Sequence, residues 1–114
     1  MQIERSTQDG VALVAPAGRI DTTTSPALEE ELRKLVDDGA RDVLVDLGGV
    51  DYISSAGLRV LLVLAKRLRG ERGRLVLCGL VGPVRQVFEL AGFVPLFTIE
   101  ASRDAALARF ASGT

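Results

Sequence analysis

Two adjacent hydroxyls, Ser54 and Ser55, end the run Asp46-Leu47-Gly48-Gly49-Val50-Asp51-Tyr52-Ile53 and are followed by Ala56-Gly57-Leu58. They stand where a buried strand gives way to a helix, and open sheets present their ligands at such strand ends. The plainest chemistry available to them is capping. Either oxygen can accept a hydrogen bond from a backbone N–H two or three residues on, for about 1 kcal/mol. Gly57 adds a second signal: glycine costs about 1 kcal/mol of helix propensity against alanine and leaves backbone open to close approach.

Catalytic alternatives lack their residues. No histidine occurs in the 114 residues, which removes Ser-His-Asp and Cys-His catalysis and the commonest transition-metal ligand. Cys78 is the one cysteine, so neither an intramolecular disulfide nor a cysteine metal cluster is expected. In its strand of Leu and Val it reads as a small buried hydrophobe rather than a nucleophile. No GxxxxGKS or GxxxxGKT loop is present, and Gly79-Leu80-Val81-Gly82 lacks the spacing of a dinucleotide fingerprint. The expectation is therefore no catalytic residue, no metal, no cofactor, and a binding module instead of an enzyme.

The elements around the two serines follow from periodicity. Gln2 to Thr7, a turn at Gln8-Asp9-Gly10, and the nearly continuous apolar run Val11 to Ala17 read as a hairpin. Ser25 reads as the N-cap of a first helix, with Pro26 at its first position and Glu29, Glu30 and Glu31 near the positive end of the dipole. Leu28, Leu32, Leu35 and Val36 share one face, and Gly39 stops the helix. Arg41 to Leu47 is a buried strand, and Gly48 to Ser54 connects it to a second helix from about Ser55 to Arg69. There Leu58, Leu61, Leu62, Ala65 and Leu68 are expected to face the sheet, with Arg59, Lys66, Arg67 and Arg69 in water. A strand at Arg74 to Cys78, a helix from Pro83 to near Gly92, a short strand at Pro95 to Ile99 and a last helix from Ser102 complete the order. Such alternation with short connections predicts an α/β fold: a mixed, mostly parallel sheet of about 4–5 strands, opened by an N-terminal strand pair and packed against about 4 helices.

Composition narrows the partners. With 47% hydrophobic and 25% charged residues, the chain is expected to form a single domain over residues 1–114. Fourteen Lys and Arg against 15 Asp and Glu give a formal net charge of -1, so no bulk positive field gathers nucleic acid or anionic lipid. Tyr52 and four Phe supply few stacking platforms for single strands. The start, Gln2-Ile3-Glu4-Arg5, alternates like a strand and is unlike a secretory signal, so a cytoplasmic location is expected. The longest apolar run, Val60 to Ala65, is far short of the roughly 20 residues that cross a bilayer, so no membrane insertion is expected.

At this point the chain resembles a known family. The order of elements, Gly18-Arg19-Ile20-Asp21, the strand VLVDL and the segment YISSAGLRVLL are similar to a STAS domain of the bacterial anti-sigma factor antagonists. Gly79, Val84, Phe88, Ala91 and Gly92-Phe93 resemble that family's apolar helix ending in glycine before the final strand, so the likeness covers nearly the whole chain. By resemblance the phosphate-accepting serine lies two residues before the glycine, which is Ser55 here. The preceding position, often aspartate in the family, is Ser54, which leaves Ser54 a secondary acceptor. Asp21, in the loop after the second strand, is implied to lie near the acceptor, and the partner surface to include Asp21, Ser54, Ser55, Ala56, Gly57 and Arg59.

The implied function is that of an anti-sigma factor antagonist. Unphosphorylated, it binds an anti-sigma factor that is often also a serine kinase and so frees a sigma factor; phosphorylation ends the contact and a serine phosphatase restores it. A monomer or weak dimer is expected. Two other readings stand beside it: a non-catalytic STAS scaffold in a stress-sensing complex, and the regulatory subunit of a membrane transporter. A receiver domain fits less well. Asp46 imitates its phospho-accepting aspartate, but the acidic pair after the first strand is missing, and the only lysines, Lys34 and Lys66, fall in predicted helices.

Overall fold

The computed structural model describes residues 1–112. Its opening is a hairpin of β1 (Gln2–Gln8) and β2 (Val11–Ile20), antiparallel with Gln2 opposite Ala17 and Gln8 opposite Val11. Then come α1 (Ser25–Asp37), β3 (Asp42–Asp46), β4 (Val50–Ile53), α2 (Ser55–Gly70), β5 (Arg74–Cys78), α3 (Gly82–Leu90), β6 (Thr98–Glu100) and α4 (Arg103–Ala111). The strands stand in the order β1-β2-β3-β5-β6, and every pair after the hairpin is parallel. The expected mixed, mostly parallel sheet with four helices is what forms.

Both faces of this sheet are covered, which explains its continuous apolar strands. Ala12, Val14, Val43, Val45 and Leu77 point towards α1, α2 and α3 and join Leu28, Leu32, Leu61, Val84 and Phe88. Their neighbours Val11, Leu13, Leu44, Val76 and Cys78 point the other way, where Ala106 and Phe110 of α4 cover them. Burial pushes the Cys78 thiol up to about 12, with the adjacent Asp46 carboxylate adding to it. This cysteine is a packing residue.

Three expectations need correction. The sheet has six strands, not 4–5, because Gly48 to Ser54 is no plain connection: Val50–Ile53 forms β4, parallel to the end of β2. Accordingly β2 runs on to Ile20, its first half beside β3 and its last three residues beside β4, with a register shift between Gly18 and Arg19. The N-cap of α1 is Thr24, not Ser25, and the first turn carries no acid, since Glu29 already lies in the second. Ser25 is buried within the helix, its hydroxyl donating to the Asp21 carbonyl at 2.6 Å. Finally, Pro95 falls in a 3-10 turn, Val94–Leu96, since it has no N–H for a ladder, and the strand starts only at Thr98.

The second helix also buries more than the sheet-facing stripe. Val60 and Leu64 are buried as well, against α1, while Leu62 and Ala65 are only half covered. A chain of charges, Glu30–Arg33–Asp37–Arg67–Glu71–Arg41, ties the far ends of α1, α2 and β3 together. All its members are at least one-third exposed, so each pair contributes little by itself.

Across the sheet, Arg103 at the start of α4 donates through Nε to Asp46 Oδ2 at 2.6 Å. Burial works to raise the Asp46 carboxyl, but Arg103 and the Gly48 N–H outweigh it and hold the group below the usual carboxylate range. A carboxyl depressed in this way adds stability that is complete above its unfolded value of about 3.9 and is lost as pH falls through the lower folded value. Replacing Arg103→Gln is therefore expected to lower the urea midpoint most at neutral pH, with the gap to wild type closing in strong acid. A gap that stays constant with pH would mean that Arg103 acts by packing alone.

Candidate functional site

Two parallel strand ends build the site. Ile20 and Ile53 are register partners at the ends of β2 and β4, so the residues that follow them, Asp21 and Ser54, emerge side by side. The Ser54 N–H donates to the Ile20 carbonyl at 2.8 Å and fixes this junction. From there β4 passes directly into α2.

The two serines divide the work. Ser54 is the N-cap, extended at φ -90° and ψ 173°, and its oxygen accepts from the Gly57 N–H over a long 3.4 Å. Its carbonyl accepts from Leu58 N–H at 3.0 Å. Ser55 is the first helical residue; it is exposed, and its hydroxyl makes no hydrogen bond within the described residues. The capping role suggested for either serine thus belongs to Ser54, and Ser55 is left presented to solvent.

Asp21 organises the neighbouring loop. Its Oδ1 accepts from the N–H groups of Thr23 at 3.0 Å and Thr24 at 3.1 Å, and its own N–H donates to Thr24 Oγ1 at 2.9 Å. Thr24 Oγ1 in turn donates to the Arg19 carbonyl at 2.8 Å. The Thr24 N–H is the chief reason the Asp21 carboxyl lies below the usual range, and it outweighs a smaller desolvation cost. Asp21 therefore remains ionised while holding the entry to α1 beside the serines.

Gly57 plays a different part from the one its type suggested. It is buried, and a Cβ there would come within 2.5 Å of Ile20 Cγ2 and 2.8 Å of Ile53 Cγ1. The close approach that glycine permits is made from inside, by the two strand ends beneath the helix. Ala56 is half-buried and Arg59 exposed, one helical turn beyond Ser55 on the same side. Together with Thr22, Pro26, Glu29 and Val60 they line an open groove of about 360 Å³ between the starts of α1 and α2. The groove brings one base, Arg59, and one acid, Glu29, to a partly apolar floor.

Sequence reasoning passed over two residues at this end. Arg19 and Tyr52 are opposite each other in the β2–β4 pair; the guanidinium sits 4.2 Å from the ring centroid, and Arg19 Nε lies 3.6 Å from Asp21 Oδ2. Tyr52 is 38% exposed, so this stacked pair forms part of the surface beside the serines. Without knowledge of β4, nothing in the chain paired them. Among the described residues no cluster of His, Cys, Asp and Glu could hold a metal ion, and no helix is long and apolar enough to cross a membrane.

Comparisons with known proteins agree with this geometry. The family profile of the STAS domain matches residues 2–106. A protein of Bordetella bronchiseptica described as a candidate anti-sigma factor antagonist, BtrV, is 46% identical over 110 residues, covering 96% of this chain and 95% of the relative. The crystal structure of an anti-sigma factor antagonist from Mycobacterium paratuberculosis superposes with a TM-score of 0.87 at 29% identity, over 95% of this chain and 92% of that one. The Bacillus anti-sigma factor antagonist SpoIIAA shares the fold at 18% identity and a TM-score of 0.83 in its unphosphorylated form, over 97% of both chains, and has also been solved phosphorylated. A family model over nearly the whole chain and a relative 46% identical over 110 residues fix the assignment: the chain belongs to the STAS domain family and, within it, to the anti-sigma factor antagonists.

Proposed function

We propose that this chain binds an anti-sigma factor through the Ser55 end of α2 and the adjoining groove, and that phosphorylation of Ser55 by a serine kinase ends the contact. A serine phosphatase resets it. The observation that carries this reading is the division of the two serines: Ser54 is occupied as a cap, and Ser55 stands exposed at the helix start with a free hydroxyl.

Physical chemistry supports a switch at the interface and not in the fold. A phosphoserine brings about -1.5 to -2 charges near neutral pH. At a helix N-terminus these meet the positive end of the dipole, which stabilises by roughly 0.3–1 kcal/mol. Within a packed contact the same charge must be desolvated or must face partner carboxylates, at a cost of several kcal/mol. Each 1.4 kcal/mol is about tenfold in affinity, so a loss of about a hundredfold or more is expected. The groove itself carries one acid, Glu29, and one base, Arg59, one turn from Ser55, while Asp21 beside it is paired with Arg19.

The test uses wild type, Ser55→Ala and Ser55→Asp as parallel baits in lysate of the native cell, with intact mass of the endogenous chain. The expected result is capture of a kinase-type anti-sigma factor by wild type and Ser55→Ala but not by Ser55→Asp, and a phosphate mapped to Ser55. Equal capture of a scaffold or transporter by all three, with no modification, would overturn the switch.

A further inference from the structure

At the other end of α2 the surface has a separate character. Of 14 basic residues, nine form ion pairs with described residues; the five that do not are Lys34, Arg59, Lys66, Arg69 and Arg72. Three of those five, Lys66, Arg69 and Arg72, gather on the last turns of α2 and the turn after it. In a chain whose net charge is -1, this is a local concentration of uncommitted positive charge.

Beside it the sheet edge is notched. Thr98, the first residue of β6, pairs with Val76, so among the described residues Arg74 and Leu75 of β5 extend past the end of the edge strand. The notch has a volume of about 270 Å³; Ala65, Leu75, Leu96 and Phe97 give it an apolar floor, and Arg69, Arg74 and Arg109 line it too. Leu96 is 47% exposed. It belongs to the segment 90–97, which carries no charged residue. Arg109 is steadied by Glu100 at 3.0 Å, whereas Arg69 has no such partner.

We propose that this notch is a second docking surface, which takes an acidic, apolar peptide segment of a partner protein. An extended segment laid along the β5–β6 edge would place an apolar side chain against Leu75, Leu96 and Phe97 and its carboxylates against Arg69 and its basic neighbours, the arrangement by which strands add to open edges. Charge complementarity selects this occupant. The recessed apolar floor gives a phosphodiester chain nothing to fill, and a concave notch does not match a bilayer surface. Arg69 lies about 21 Å along the helix axis from Ser55, so the surface operates independently of the serine switch and leaves that end of the molecule free for another partner.

The test titrates the ¹⁵N-labelled full chain with a pool of peptides of about seven residues, in which Asp or Glu alternates with Leu, Ile, Val or Phe. A pool with Lys in place of the acids, phosphatidylglycerol vesicles and a single-stranded oligonucleotide run in parallel. Expected are amide shifts confined to Ala65, Arg69, Leu75 and Leu96 to Thr98 with the acidic pool alone, weakened about tenfold by Arg69→Glu. Leu96→Ser should weaken binding similarly, and Ser55→Asp should leave it unchanged. Shifts at other residues or none, equal response to the lysine pool, indifference to Arg69→Glu in a variant whose spectrum is otherwise native, or a response to vesicles or oligonucleotide in place of the peptides would each overturn the proposal. None of these outcomes bears on Ser55, so the two readings fail separately.

Discussion

Gly79→Ala is expected to lower the free energy of unfolding by about 3 kcal/mol, through two costs that act together. Gly79 has φ +77°, where an L side chain costs roughly 1–2 kcal/mol. A Cβ there would also lie 2.6 Å from both Asp46 Oδ1 and Gly48 N, and 2.9 Å from Gly48 Cα. Two of these are backbone atoms that cannot rotate away, and the forced shift costs about 1–3 kcal/mol more. The segment that would have to move is the turn from β3 to β4, in which Asp46 accepts from Gly48 N–H at 2.8 Å and Leu47 N–H donates to the Cys78 carbonyl at 2.8 Å. That turn sets where β4 begins and hence where Ser54 and Ser55 emerge. Urea unfolding of Gly79→Ala beside Gly79→Asn separates the two costs, because asparagine tolerates positive φ but carries the same Cβ. If Gly79→Asn is as stable as wild type, the crowding argument is wrong.

Gly57→Val should cost a similar amount, about 3 kcal/mol, for crowding alone. Helix propensity on its own would favour valine over glycine here by a few tenths of a kcal/mol and alanine by about 1 kcal/mol, so the sign of the effect tests whether packing overrides propensity. The obstructing atoms, Ile20 Cγ2 and Ile53 Cγ1, belong to β-branched side chains buried to 0% and 1% exposure, which have no other rotamer to adopt without disturbing the core. The milder Gly57→Ala, combined with Ile20→Ala, supplies a double-mutant cycle. The pair should be less destabilising than the sum of the single changes by about 1 kcal/mol or more, since one removes the methyl that the other meets. Additive effects would place Ile20 out of reach of position 57.

Much of this architecture is legible from periodicity alone, and where it is not, the physical reason can be named. Val11 to Ala17 and Arg41 to Leu47 read as strands, the second one residue too long at each end, because burial on both faces leaves the centres of β2 and β3 apolar without alternation. β4 escapes such reading: Val50 and Ile53 are buried while Asp51 and Tyr52 between them are exposed, a pattern with period three that follows from Asp51 being the extra residue opposite the Gly18–Arg19 step of β2. Once β4 is missed, so is the stack of Arg19 on Tyr52, which depends on their being opposite each other. The misplaced cap of α1 has a local cause. Asp21, four residues before Ser25, takes over the exposed N–H groups of the loop, so the helix starts one residue earlier than a serine before proline suggests. Gly57 was legible as unusual but not as to its purpose, because the side chains that need its space come from the ends of β2 and β4.

The division between Ser54 and Ser55 reaches beyond the binding surface to how long the protein lasts. Cellular abundance responds several-fold to a change of 1–2 kcal/mol in stability, because proteases draw on the unfolded fraction. Had Ser55 supplied the cap, a phosphate there would have altered the first turn of α2 and with it the rate at which the chain is destroyed. With Ser54 as the cap, a phosphate on Ser55 would leave the cap bond in place and shift stability by no more than about 1 kcal/mol, so the turnover of the two forms would differ little. On the reading proposed above, information is then held as occupancy of one hydroxyl at a constant number of molecules, and the circuit can be reset without new synthesis.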